Sequence, residues 1–173
     1  RLGEILLIRA EAAAELGTIT QTELNLTVNA LRARVGFTQK LTTSPVVDPQ
    51  LVTDYPNVTG ANATLIREIR RERRMELVGE GFRYDDIRRW ACGKLLAKTH
   101  LGVHLDRAGY TADQVATLKD DFGVNADGFL TIYAKRYAGL NPEPVFEEPK
   151  HYLYAIPTNE IACSSRFLGC KIP

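Results

Sequence analysis

Few residues of this chain stand at spacings that chemistry needs. Asp85 and Asp86 are adjacent carboxylates. Neighbours on a helix diverge by about 100°, so the two cannot serve one substrate as acid and base. In the first turn of a helix they complement the helix dipole instead. His100 and His104 have the i,i+4 spacing of a helical metal pair, with Asp106 as a third candidate ligand. Leu101 replaces the glutamate of that zinc pattern and Gly102 interrupts the helix, which argues against a metal site. Asp121, Asn125, Asp127 and Gly128 carry the residue types of a calcium loop, but the ligand order fails and no glutamate stands at the twelfth position. They read as turn residues. No nucleophile elbow, phosphate-binding loop or dinucleotide glycine pattern is present. The expectation is no catalytic residue, no metal and no cofactor.

Binding without catalysis needs aromatic faces together with amides or carboxylates, carried on loops. Tyr55, Tyr110, Tyr133 and Tyr137 are the candidate ligand platforms, each with an alternative reading as a packing residue. Trp90, the only tryptophan, is a platform or a buried anchor.

Charge is concentrated in one stretch, Thr64 to Trp90. Arg67, Arg70, Arg71, Arg73 and Arg74 fall within eight positions, and Glu68, Glu72, Glu76 and Glu80 form an i,i+4 row. Like charges so spaced repel by roughly 0.2–0.5 kcal/mol per pair. One reading is a charged solvent face; the other is a helix whose carboxylates are held by guanidinium forks, and the nearest along the helix are Arg71 for Glu68, Arg73 for Glu76 and Arg83 for Glu80. Arg88 and Arg89, after the Gly79/Gly81 turn, are further donors. Arginine suits this because its planar fork pairs bidentately and stays charged when partly buried. A nucleic-acid helix is the poorer reading, since the glutamates interleave and the whole chain carries only +1.

The elements around this stretch follow from pattern. Leu2 to Leu16 is rich in Ala, Leu, Ile and Glu and is closed by Gly17, which predicts a helix. Its alanines 10, 12, 13 and 14 let another helix approach closely. Thr20 to Glu23 reads as a capping box opening a second helix, whose stripe is Leu24, Val28, Leu31 and Val35 and whose stop is Gly36. Together they make an antiparallel hairpin. Residues 37–60 carry three prolines and read as a loop long enough to be functional. Asn62 or Thr64 opens the arginine helix, which runs to about Val78, and Tyr84 to Lys98 forms a further helix with Ile87, Trp90, Ala91 and Leu95 inward. Residues 100–150 are rich in glycine, with a helical patch at 112–121 and a short strand at 129–133. His151 to Pro157 alternates like a strand, and Thr158 starts a turn of helix.

The 173 residues suffice for a real core, and 45% hydrophobic with 25% charged residues is ordinary globular composition. No apolar run is long enough to span a membrane as a helix. Of Cys92, Cys163 and Cys170, the last two could close a short loop in an oxidising compartment or remain thiols. The opening, Arg1-Leu2-Gly3-Glu4, falls directly inside a helical pattern, as in a piece of a longer protein.

Residue order adds a family resemblance. Arg70 to Trp90, RRERRMELVGEGFRYDDIRRW, resembles the signature ERR-x-EL-x-x-EG-x-R-x-x-D-x-R-RW of the SusD/RagB family. RLGEILLIRAEAAAELG, LNLTVNALRARVG and HYLYAIPTNEI are similar to other segments of that family, although the tail from Ser164 departs from its pattern. These are cell-surface lipoproteins that capture glycans and other nutrients for a SusC-like TonB-dependent outer-membrane transporter. The resemblance implies a mainly α, SusD-like fold of tetratricopeptide-type hairpins with long irregular loops and little β. Residues 1–36 would be the last helical-repeat pair, facing the transporter. Residues 64–98 would be the signature helices, 99–150 a variable excursion, and 151–173 the C-terminal signature and tail. A structural role is implied for Arg71, Glu72, Arg73, Glu76, Glu80, Arg83, Asp86, Arg89 and Trp90. The partners implied are an oligosaccharide or other nutrient and the transporter, with a lipid anchor upstream as the membrane link. A tetratricopeptide-like adaptor for a protein or peptide is the rival reading.

Overall fold

The computed structural model describes residues 1–98, 101–105, 109–131, 144–154 and 156–159. The chain divides into two compact units, Arg1–Leu95 and Leu96–Pro173. The fold is mainly helical, and among the described residues no strand forms.

In the first unit, α1 (Leu2–Glu15) ends as its composition demands. Gly17 turns to φ 71°, and Thr18 N–H reaches back to the Ala13 carbonyl at 2.9 Å. Helix α5 (Ala63–Glu76) packs chiefly against α1. The approach is so close that a Cβ on Gly3 would lie 2.8 Å from Glu76 Oε1. Asn62, expected to cap α5, instead donates its Nδ2 to the Ala14 carbonyl at 2.9 Å. It thereby satisfies a group at the end of α1.

The second predicted helix is broken in two at Thr27, giving α2 (Gln21–Leu26) and α3 (Val28–Arg34). The Thr27 hydroxyl donates to the Glu23 carbonyl at 2.7 Å, and its backbone leaves helical geometry at φ −115°, ψ −94°. Leu24, Val28 and Leu31 are buried as the stripe requires, whereas Val35 lies past the helix end and is exposed. Only half the capping box forms. Thr20 Oγ1 accepts from Glu23 N–H at 3.2 Å, but the Glu23 carboxylate goes to Arg9.

Residues 37–60 are less irregular than their prolines suggest. Asp48 accepts from Gln50 N–H at 2.8 Å and Pro49 occupies the first turn, so a short helix forms, α4 (Pro49–Asp54). Asn29 fixes the start of the segment with a two-way bond to the Leu41 backbone, at 2.7 Å and 3.0 Å. Leu41, Leu51, Tyr55 and Val58 then enter a core with Leu7, Leu24, Leu65, Ile69 and Ile87. The last predicted helix of this unit also stops early. It is α6 (Arg83–Arg89), ended by Ala91 at φ 48° and followed by a 3-10 turn, Gly93–Ala97. Ala91 is exposed, not inward, and its carbonyl accepts from Asn57 at 2.7 Å.

In the second unit, α7 (Ala112–Phe122) opens on a complete capping box, with Thr111 and Gln114 bonding each other's backbone at 3.3 Å and 2.9 Å. The strand expected at 129–133 is reduced to isolated bridges, His104 to Phe129 and Val124 to Leu130, while residues 132 and 133 lie outside the described residues. No strand forms among the described residues of 151–157 either. Lys150–Tyr152 is a 3-10 turn, because Glu147 N–H is taken by His151 Nδ1 at 3.0 Å and Tyr152 packs on Phe146. Thr158 and Asn159 are helical, as expected.

Candidate functional site

The arginine stretch is a network of buried charge in the first unit. Glu11, on the inner side of α1, is its hub. It accepts Trp90 Nε1 at 2.6 Å and both Arg89 Nη groups at 3.1 Å and 2.9 Å, with Arg70 Nε at 3.5 Å. Trp90 is buried with two guanidinium groups over its ring, Arg70 at 4.8 Å and Arg89 at 4.9 Å from the centroid. Burial acts to lower the Arg89 pKa, but its bonds to Glu11 and Asp86 outweigh this and raise it. Arg73 Nε spans both Asp86 oxygens at 2.9 Å and 2.8 Å, and both residues are buried.

The glutamate row is neutralised mostly from other elements. Arg71 does hold Glu68. Glu72, however, is bound by Arg32 of α3, with Nε at 2.8 Å. Glu76 is bound by Arg34 at 2.8 Å and Arg1 at 3.0 Å, and Glu80 by Arg1 at 2.6 Å. The expected pairs Arg73–Glu76 and Arg83–Glu80 are not made. A local i,i+3 pair is worth only a few tenths of a kcal/mol, while an unpaired buried Asp86 would cost several, so Arg73 is drawn to Asp86.

Beside this network lies a hollow open to solvent. The 37–49 segment and α5 border an open cleft of about 530 Å³. That falls within the usual range of small-molecule sites, ~300–1,000 Å³. Phe37, Gln39, Thr42, Ser44, Asp48, Glu68 and Arg71 are among its lining residues. Phe37 is 52% exposed, with Arg32 over its ring at 5.3 Å. Arg71 ties the two carboxylates together, reaching Asp48 at 3.2 Å as well as Glu68. Desolvation raises the Glu68 pKa, opposed by Arg71 and Arg32 and assisted by Asp48 and Glu72. Such a surface offers hydrogen-bonding groups beside one aromatic ring.

A raised carboxylate pKa has a defined sign in stability. The Glu68 contribution is full below its unfolded pKa and is lost as pH rises through the higher folded value. Wild type is therefore expected to gain stability relative to Glu68→Gln when pH falls from neutral toward 4. Urea unfolding of both proteins at the two pH values checks this.

The predicted platforms fare unevenly. Tyr55 is 2% exposed, packed edge-on to Trp90 at 5.7 Å, and Arg83 Nη1 lies 3.4 Å from its hydroxyl. It is a core ring and cannot stack on a sugar, because the 49–58 segment folds inward instead of looping out. Trp90 likewise is the buried anchor, not the platform. Tyr110 is 44% exposed and belongs to the second unit, while Tyr133 and Tyr137 lie outside the described residues. Phe37 was not singled out from the sequence. Its signal was its place at the start of the long loop, directly after Gly36.

His104 packs edge-on against Phe129 at 4.9 Å, and His100 and Asp106 lie outside the described residues. Asn125 accepts from Phe129 N–H at 2.8 Å, as a turn residue does. Cys92 is a buried thiol whose pKa is raised by desolvation, and Cys163 and Cys170 lie outside the described residues. Among the described residues, no helix is long and apolar enough to cross a membrane.

Comparison with known proteins agrees with this architecture. No curated protein matches the chain in sequence. A crystal structure of a SusD-like carbohydrate binding protein from Bacteroides fragilis superposes on 94% of the chain with a TM-score of 0.63 and 26% identity. The chain spans 26% of that protein's length. The model of the SusD family matches residues 1–166, from the first turn of α1 to beyond the 3-10 turn at Lys150–Tyr152. With the charge signature folded as one network between α1, α5 and α6, the chain belongs to the SusD family.

Proposed function

We propose that the chain is part of a cell-surface protein that binds an oligosaccharide without cleaving it and passes it to a SusC-like TonB-dependent transporter. The observation that carries this reading is the family match over residues 1–166, joined to the likeness to a SusD-like carbohydrate binding protein. Among the described residues, the cleft at Phe37 offers what a sugar needs: a half-exposed ring beside amide, hydroxyl and carboxylate groups. Tyr110 remains a candidate platform of the second unit, as do Tyr133 and Tyr137. Non-enzymatic binding is favoured by Arg71, which engages both cleft carboxylates, the groups a hydrolase would need facing a glycosidic bond.

Titration calorimetry against a panel of plant and host oligosaccharides, with product analysis, tests the reading. Binding without turnover is expected. Phe37→Ala should weaken it about 2- to 12-fold, the effect of losing one stacking contact of ~0.5–1.5 kcal/mol, with the melting temperature unchanged. Unchanged affinity in that variant would remove the cleft from the reading.

One observation favours a second reading. Leu2, Ile5, Ile8 and Leu16 leave an exposed apolar stripe along α1, as an adaptor for a protein or peptide would present. Silence across the glycan panel, with binding to a peptide library lost on Ile5→Ser, would favour it.

A further inference from the structure

Arg32, in the last turn of α3, holds Phe37 at both its backbone and its ring. Gly36 turns the chain at φ 76°, and Phe37 N–H then bonds to the Arg32 carbonyl at 2.9 Å. The Arg32 guanidinium lies over the Phe37 ring, 5.3 Å from its centroid. The same group reaches two further partners. Its Nη1 donates to the Gln39 carbonyl at 3.1 Å, and its Nε donates to Glu72 of α5 at 2.8 Å. Arg32 is buried, so one inaccessible side chain ties the first limb of the cleft to the signature helix.

Stability alone does not explain this choice of residue. Closing α3 needs only Gly36 and the backbone, and holding Glu72 needs only a positive charge, which lysine would supply. Arginine adds a flat cationic face under an aromatic ring and spare donors at fixed angles, here used on Gln39. The beneficiary is Phe37, a half-exposed ring that lines the cleft. A platform ordered in advance does not lose its freedom when a ligand arrives, and that cost is spared from the affinity.

We propose that Arg32 is a positioning residue of the cleft: it fixes the Phe37 ring as a stacking platform, and Glu72 in turn fixes Arg32. The proposal rests on the reading of this cleft as a sugar site and adds the residue that sets its geometry.

The test joins two measurements on the full chain. The first is aromatic carbon-13 relaxation of the Phe37 ring, assigned with Phe37→Leu. The second is calorimetric titration with maltohexaose, cellohexaose and xylohexaose. The wild-type ring should be rigid, and Arg32→Lys should free it. That variant should bind about 2- to 5-fold more weakly, the scale of ordering one side chain on binding. In a Phe37→Ala background, Arg32→Lys should leave affinity unchanged, because Arg32 acts through the ring. Glu72→Gln, which keeps an acceptor for Arg32, should free the ring in part and guards against misfolding of Arg32→Lys. A ring equally rigid in wild type and both variants, or additive affinity losses in the double variant, would overturn the proposal. A freed ring with none of the three oligosaccharides bound by wild type would uphold the hold of Arg32 on Phe37 and count against the sugar reading alone.

Discussion

Glu11→Ala is expected to lower the unfolding free energy by about 3–5 kcal/mol, the scale of breaking a buried ion pair from one side. Trp90 Nε1 loses its acceptor, the Arg89 fork is left with Asp86 alone, and Arg70 loses its nearest buried carboxylate and keeps only Glu15. Arg70 is buried and cannot turn to water without disturbing Trp90 and Tyr55, over whose rings it lies. Domain stabilities are only ~5–15 kcal/mol, so the variant should be close to unfolded at moderate temperature. Glu11→Gln, which keeps an acceptor for the indole but not the charge, should lose roughly half as much. Urea unfolding followed by circular dichroism measures both, and a loss below about 1 kcal/mol for Glu11→Ala would show that the hub is dispensable.

Arg73→Ala is expected to cost a comparable ~3–5 kcal/mol, because it leaves the buried Asp86 with only the half-exposed Arg89. Glu76→Ala, at a neighbouring position of the same signature, should cost only about 0–1 kcal/mol. Its partners Arg34 and Arg1 have side chains 56% and 45% exposed, so water replaces the carboxylate readily. The contrast separates a residue that closes the core from one that decorates it. Thermal melts of the two variants side by side give the comparison directly.

Patterns that depend on neighbours along the chain were legible before the structure. The composition of α1, the stop at Gly17, the cap at Thr20 and the boundaries of α7 all follow from local propensity. Trp90 as an anchor and the family itself were readable from the order of the signature. What failed were assignments that needed a partner from elsewhere. Helix-spacing arguments offer Arg73 to Glu76, but nothing local reveals that Asp86 is buried opposite it. Glu11 sits in the alanine run of α1 and looks like a solvent residue until Arg89 and Trp90 arrive. Thr27 breaks a helix whose apolar stripe continues across it, since the stripe reports burial and not backbone continuity. Tyr55 looked like a loop aromatic because the hydrogen bonds that turn its segment inward come from Asn29 and Asn57, at either side of it.

The central claim is that the arginine signature is a buried scaffold and that ligand is bound elsewhere. A double-mutant cycle on Arg73 and Asp86 tests it most directly, with urea unfolding read from the sole tryptophan, Trp90. Wild type, Arg73→Ala, Asp86→Ala and the double variant would be compared. The account predicts that each single change costs several kcal/mol and that the two are coupled by at least about 1.5 kcal/mol. Single variants of unchanged stability, additive in the double and defective in glycan binding, would contradict it.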